Sequence, residues 1–143
     1  MARILITEDE RIIAEDLKQI LQSFDHQVVG IAASGEKAIQ LAKELRPEII
    51  FMDIKLEGVL NGIDAARKIR DIIDTSIIFC SAYADDLTLL QMSALSPEGY
   101  VSKPFLEKEI LDSIKHVSGA KKKHAPEDFH SNYLSYQFAS NLI

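Results

Sequence analysis

Residues Ile49-Ile50-Phe51-Met52 are apolar without a break and run directly into a carboxylate, Asp53. The run is entered from Pro47 and followed by Ile54-Lys55-Leu56-Glu57-Gly58-Val59-Leu60-Asn61-Gly62, a loop that carries two glycines. A strand with no polar alternation has to be covered on both faces, a condition met in parallel sheets with helices on either side. In open parallel sheets, ligands and chemistry collect beyond the carboxyl ends of the strands. Asp53 falls at that position.

The rest of the chain repeats the same unit. Ile4-Leu5-Ile6 is a short strand ending in Thr7-Glu8-Asp9-Glu10, and Ile12, Ile13, Leu17, Ile20, Leu21 and Phe24 then recur at the spacing of a one-sided helix. Val28 to Ala32 reads as a second strand. Ser34 can cap the helix that follows, whose inner stripe is Ala38, Ile39, Ala42 and Leu45 and which stops before Pro47. After the Asp53 strand, a third helix begins at Asn61-Gly62 with Ile63, Ala66, Ile69 and Ile73 inward. Ser76 to Cys80 is a fourth strand, stopping at Ser81. A helix between about Asp85 and Leu95 is expected to turn Leu87, Leu90 and Ala94 inward. Gly99-Tyr100-Val101 is a fifth strand ending at Ser102-Lys103-Pro104, and the last helix carries Ile110, Leu111, Ile114 and Val117 toward its end near Gly119. Strand and helix alternating five times specify an α/β fold, with a parallel sheet and helices on both faces.

Length and composition fit that frame. The chain has 143 residues, 47% of them hydrophobic, enough for one domain, 1–119, followed by an appendage, 120–143. A net charge of −6 argues against direct nucleic-acid binding. One cysteine, Cys80, cannot form an internal disulfide, and no apolar run approaches the roughly 20 residues that span a bilayer. A cytoplasmic location without membrane insertion is expected.

The carboxyl ends of parallel strands share one edge. Strand one brings Glu8 and Asp9 to it, strand three Asp53, strand four Ser81 and strand five Lys103. Each alone has a plainer reading: an acidic residue after a strand is commonly a helix cap, and a lysine before a proline is commonly a turn. Together they are harder to explain that way. Three close carboxylates need a counter-charge, which Lys103 and a hard divalent cation such as Mg²⁺ can supply. A carboxylate beside such cations is suited to attack a phosphoryl group.

The acidic pair Glu8-Asp9, Met52-Asp53, Ser81-Ala82 and Lys103-Pro104-Phe105 together resemble the motifs of the receiver domains of two-component response regulators, over about Arg3 to Val117. The resemblance implies a flavodoxin-like doubly wound (βα)5 fold with strand order 2-1-3-4-5. It implies that Asp53 accepts a phosphoryl group from a sensor histidine kinase or phosphotransfer protein. Mg²⁺ would be held by Asp9 and Asp53, by Glu8 directly or through a water, and by the backbone carbonyl of Lys55. Ser81 would be the hydroxyl that bonds the phosphoryl oxygen, Tyr100 the aromatic switch, and Lys103 the lysine paired with the phosphoryl group. The Lys103–Pro104 bond is expected in cis. The downstream partner would meet the face formed by helix four, strand five and helix five. Two positions depart from the family pattern: Glu8 stands where Asp is common, and the loop after Asp53 is longer, with Lys55 where a proline is usual.

Other functions fit less well. A haloacid-dehalogenase-type hydrolase needs a second Asp two residues after its nucleophile, where this chain has Lys55. A flavodoxin-like FMN protein needs a Ser/Thr/Gly-rich turn after strand one, and Thr7-Glu8-Asp9-Glu10 would repel a phosphate. A non-phosphorylated interaction domain would not need every site position filled. In the appendage, Lys121-Lys122-Lys123 is too short a basic run to mark DNA binding, and the segment is too short for a helix-turn-helix output domain. Phe129, Tyr133, Tyr136 and Phe138 make it a candidate docking segment, for the domain itself or for a second copy in a homodimer, and a frayed end is the plainer alternative. Lys55 and Tyr83 are expected to flank the path of water to an acyl phosphate and to tune its lifetime. Replacing both by Ala is expected to change the autodephosphorylation rate, measured by loss of phosphorylated mass with time, and an unchanged rate removes both from that role.

Overall fold

A computed structural model describes residues 1–82 and 85–120, the last three by backbone alone. Tyr83 and the appendage beyond Ala120 lie outside the described residues. The elements are β1 (Arg3–Thr7), α1 (Arg11–Ser23), β2 (Gln27–Ala32), α2 (Gly35–Leu45), β3 (Ile49–Met52), α3 (Gly62–Arg70), β4 (Ser76–Ser81), α4 (Asp86–Ala94), β5 (Gly99–Ser102) and α5 (Glu107–Ala120). The sheet is parallel with order β2-β1-β3-β4-β5, as the family resemblance implied. The Lys103–Pro104 bond is cis, also as expected.

Two cores lie on opposite faces of the sheet, because successive residues of a strand point to opposite sides. Leu5, Ile50, Met52, Ile77 and Phe79 pack with Ala38, Ala42, Ile63, Ala66, Ile69 and Met92 from α2, α3 and α4. Ile4, Ile6, Ile49, Phe51, Ile78, Cys80 and Val101 pack with Ala14, Leu17, Leu21, Ile110, Ile114 and Val117 from α1 and α5. All four residues of β3 are buried, which is why its sequence carries no polar alternation.

Helix starts follow local capping chemistry. The side chains of Ser34, Asn61 and Asp85 accept from the amides of Lys37, Asp64 and Thr88. At the opposite edge of the sheet, two arginines satisfy helix-end carbonyls that would otherwise be left bare. Arg3 donates to the carbonyls of Leu45 and Arg46 at 2.6 and 2.9 Å. Arg70 donates to Leu95 O at 2.6 Å and pairs with Glu98, whose carboxylate also accepts from Ile77 N.

Two expected helix faces are corrected. In α1, Leu17 and Leu21 are buried, but Ile12 is 85% exposed and Phe24 48%. At 3.6 residues per turn Ile12 lies well round the helix from the Leu17 line, and Phe24 is the C-cap, where the chain has already left the helix. In α4, Leu87 and Leu90 are 65% and 67% exposed and Ala94 is exposed, while Met92 and Ser93 are buried and Leu89 packs on the core. Leucines at 87, 89 and 90 leave apolar groups on more than one side of the helix, so spacing alone does not select the inner one. The third helix ends at Arg70, earlier than its apolar stripe suggests, and Ile73 is buried from the turn beyond.

Gly62 seats the loop that follows β3. A Cβ on it would come within 1.8 Å of the Asp53 carbonyl oxygen and 2.9 Å of Ile54 Cα, and backbone on both sides cannot yield. Gly62→Ala is expected to lower stability by about 3 kcal/mol, the upper part of the overpacking range, read as a lower urea midpoint at unchanged m-value.

Candidate functional site

The hydrogen-bond ladder of the sheet continues one residue past the strands and so fixes the backbone of the side chains at its carboxyl edge. Glu8 N donates to Ala32 O at 2.8 Å, Asp53 N to Thr7 O at 3.0 Å and Lys103 N to Ser81 O at 2.9 Å. The loop after Asp53 is closed at its base by Gly62 N donating to Ile54 O at 2.7 Å. Strand pairing therefore sets the separation of these groups before any side chain interacts.

The side chains then converge on one ammonium. Lys103 Nζ lies 2.5 Å from Glu8 Oε1 and 3.0 Å from Asp53 Oδ2. The second oxygen of each acid is also occupied: Glu8 Oε2 accepts from Glu10 N at 3.0 Å, and Asp53 Oδ1 from Ile54 N at 2.8 Å. Glu8 and Asp53 are both buried and Asp9 is exposed, and one carboxylate oxygen from each can be chosen so that all three lie within 4.8 Å of one another. Three carboxylates against one ammonium leave negative charge uncompensated. An all-oxygen donor set with two buried members and one open to solvent fits a hard divalent cation that keeps part of its water shell.

Burial and pairing act differently on the two partners. Burial pushes the Glu8 carboxyl above its ordinary value, against the hydrogen bonds from Lys103 and Glu10, and the Asp53 charge adds to the rise. For Lys103 burial acts downward, but the hydrogen bonds and charges of Glu8 and Asp53 outweigh it and the ammonium is held above its usual value. Lys103 is thus firmly charged, and Glu8 bears the desolvation. Cys80, on the α1/α5 face of β4, has its thiol pushed up to about 12 by burial and is inert as a nucleophile at neutral pH.

Ser81 is buried at the end of β4, and its side chain makes no hydrogen bond to Asp53 among the described residues. Its carbonyl is a junction: it accepts from Lys103 N, and from the Tyr100 hydroxyl at a long 3.4 Å. Lys55 stands in the loop two residues after Asp53, with its side chain exposed.

Three features escaped the sequence reading. A cavity of about 310 Å³ beside the acidic cluster is lined by Glu10, Ile13, Asp16, Ala82, Lys103, Pro104 and Phe105. The exposed Ile12 and Leu106 adjoin two of those residues in sequence. The outward leucines of α4 form the second, and the third is Glu36, at the start of α2, which hydrogen-bonds the β3–α3 loop. Only the apolar Ile12-Ile13 pair gave a signal, since a one-sided helix cannot bury both members.

The family model described as "Response regulator receiver domain" matches residues 4–115. Protein CcdB of Bacillus subtilis is 32% identical over 120 residues, which are 83% of this chain and 99% of that protein. Chemotaxis protein CheY of Thermotoga maritima is 32% identical over 117 residues, 81% of this chain and 97% of that protein. Among solved structures, the signal receiver domain of a modulated diguanylate cyclase from Desulfovibrio desulfuricans G20 superposes with a TM-score of 0.81 at 33% identity, covering 85% of this chain and 97% of that one.

A carboxyl whose folded pKa is raised stabilises the fold fully below its unfolded value, 4.5 for Glu8, and loses that contribution as pH rises through the folded value. Lys103, also raised, contributes until pH passes above 10.5. Of these two, Glu8 therefore carries the change between pH 4 and 7. The stability of Glu8→Gln relative to wild type is expected to rise over that interval in Mg²⁺-free thermal melts, and a difference that stays flat or falls would contradict the assignment.

Proposed function

Since the chain belongs to the response regulator receiver domains of two-component signalling, we propose that it is a phosphorylation-dependent switch with Asp53 as phosphoacceptor. The observation that carries this reading is the joining of Asp53 and Glu8 through Lys103, with Asp9 beside them. In the transfer, an Asp53 carboxylate oxygen forms a bond to phosphorus as the P–N bond of a phosphohistidine breaks, and the electron pair leaves with the imidazole. Lys103 moves from the carboxylate to the incoming phosphoryl oxygens, where its positive charge offsets theirs. Asp9, Asp53, the Lys55 carbonyl and Glu8, directly or through a water, would hold Mg²⁺, which would further neutralise charge on the phosphoryl group. The domain catalyses its own phosphorylation and dephosphorylation and turns over no separate substrate.

Acyl phosphate formation replaces the single carboxylate charge of Asp53 with a phosphoryl group that carries about −1.5 to −2 and presents strong acceptors. The Ser81 hydroxyl then turns to donate to a phosphoryl oxygen. Because the Ser81 carbonyl accepts from both Tyr100 and Lys103 N, movement at Ser81 is felt by Tyr100, whose ring follows inward. The population of two conformations shifts, and the face of α4, β5 and α5 changes its affinity for a downstream protein. The exposed Leu87 and Leu90 supply apolar contact area on that face.

The phosphodonor, a sensor histidine kinase or phosphotransfer protein, docks over the groove of Ile13, Pro104 and Phe105, which leads to Lys103. A histidine-bearing helix laid there brings its imidazole to Asp53 from the open side of the cluster.

Incubation with acetyl phosphate and Mg²⁺ followed by intact-mass measurement is expected to show the gain of one phosphoryl group, absent in Asp53→Asn and without Mg²⁺. No gain with any small phosphodonor, or an equal gain in Asp53→Asn, removes the reading.

A further inference from the structure

We propose that Glu36 is a positioning residue for the acidic site: its carboxylate, anchored in the first turn of α2, holds the tip of the β3–α3 loop and thereby sets where the Lys55 carbonyl stands beside Asp53. This rests on the reading of Glu8, Asp9, Asp53 and Lys55 as a Mg²⁺ site.

The loop from Ile54 to Gly62 is restrained at two levels. Its base is closed by the Gly62 N to Ile54 O bond at 2.7 Å, with Gly62 pressed on the Asp53 carbonyl. Its tip is tied to a different part of the fold. Glu36 Oε2 accepts from Val59 N at 3.2 Å and from Leu60 N at 3.4 Å, and Ser34 and Glu57 form an isolated parallel bridge between the same two segments. Two successive amides aimed at one carboxylate make a small anion-binding nest, and the N-terminus of α2 favours negative charge in the same place. The carboxyl is accordingly held below its ordinary value, by the Glu36 amide itself and then by those of Val59 and Leu60.

The turn is built around that carboxylate. Gly58 has φ +91°, a conformation that side chains rarely adopt, and a Cβ there would come within 2.8 Å of Glu36 Oε1. On the inner side, a Cβ on Gly35 would lie 3.0 Å from Leu60 Cβ and 3.1 Å from Leu60 O, so the helix start and the loop are in close contact. Lys55 and Leu56 are strung between the closed base and the tied tip, and the half-buried Leu56 rests on the α2/α3 core. A carbonyl on such a segment keeps one position only while both ends are held. Glu36 therefore acts on the site without touching it, as outer-shell groups do for metal ligands.

The test is calorimetric titration of the full chain with MgCl₂, for wild type, Glu36→Ala and Glu36→Gln, together with amide hydrogen exchange of residues 55–60 in the absence of metal. Glu36→Ala is expected to bind Mg²⁺ roughly tenfold more weakly, as loss of an outer-shell partner does, with faster exchange at Val59 and Leu60. Glu36→Gln, which keeps an acceptor oxygen but no charge, is expected near wild type in both. If Gln binds as weakly as Ala while Val59 and Leu60 exchange as in wild type, remote charge is responsible and the proposal falls. It also falls if Ala binds like wild type, or binds more weakly with unchanged exchange. Absence of Mg²⁺ binding by wild type overturns the metal reading itself, and this inference with it. Should Glu36→Ala fail to fold, Glu36→Asp, which keeps the charge but withdraws the carboxylate by one methylene from the Val59 and Leu60 amides, is expected to weaken Mg²⁺ binding and speed exchange at those two amides, and wild-type values there overturn the proposal.

Discussion

Two buried carboxylates share one ammonium at the carboxyl edge of the sheet, and much of the architecture serves to keep them there. Glu8, Asp53 and Lys103 arrive from β1, β3 and β5, none of which is adjacent in sequence to another. Removing ions from water costs several kcal/mol each, and their attraction offsets this only when geometry is good and the remaining oxygens are hydrogen-bonded. Here the remaining oxygens are bonded, by the amides of Glu10 and Ile54. The cluster still holds more negative than positive charge, which is the condition under which an added cation is attracted. Stability is given up locally so that the edge responds to charge.

That concession is carried by a strongly conventional frame. Every strand residue of β3 is buried and the strand alternates its side chains between two cores. Arg3 and Arg70 tie helix ends to the far edge of the sheet, so the end opposite the site is closed by charge-assisted hydrogen bonds. One edge is thus locked and the other is left with open chemistry. The Ser81 carbonyl lies between the two regimes, receiving both Lys103 N from the site and Tyr100 from the α4 side of the sheet. From Asp53, covalent and hydrogen bonds run through Lys103 to the Ser81 carbonyl and on to the Tyr100 hydroxyl.

The loop after Asp53 adds a second connection. Through Glu36 and Ser34 it leans on the start of α2, and through Gly62 on the carbonyl of Asp53. A longer loop costs little in closure entropy, since that term grows only logarithmically with length. It needs ties to hold any one shape, and Glu36 and Ser34 provide them through Val59, Leu60 and Glu57.

Local sequence specified the alternation of strand and helix, the uninterrupted apolar run of β3, the cap at Ser34, the start of the third helix at Asn61-Gly62, and which residues end up along one edge. These follow from local rules: spacing of apolar residues, capping chemistry, and the fact that parallel strands all point one way. Strand order and residue roles came only through the resemblance of Met52-Asp53, Ser81 and Lys103-Pro104 to a known family. Other features were decided by tertiary structure. Helix four carries leucines on more than one side, and only docking on the sheet chose Met92 and Ser93 over Leu87 and Leu90 as its inner side. Ile12 shares the apolar spacing of α1, yet the rotation of the helix places Ala14, Leu17 and Leu21 in the core and leaves Ile12 in solvent. The role of Glu36 has no local signal, because its partners lie 23 and 24 residues away in a loop whose turn depends on Gly58. Contacts between segments far apart in the chain leave no periodic trace, so the edge at which the chemistry gathers was legible in one dimension and the ties that hold it required three.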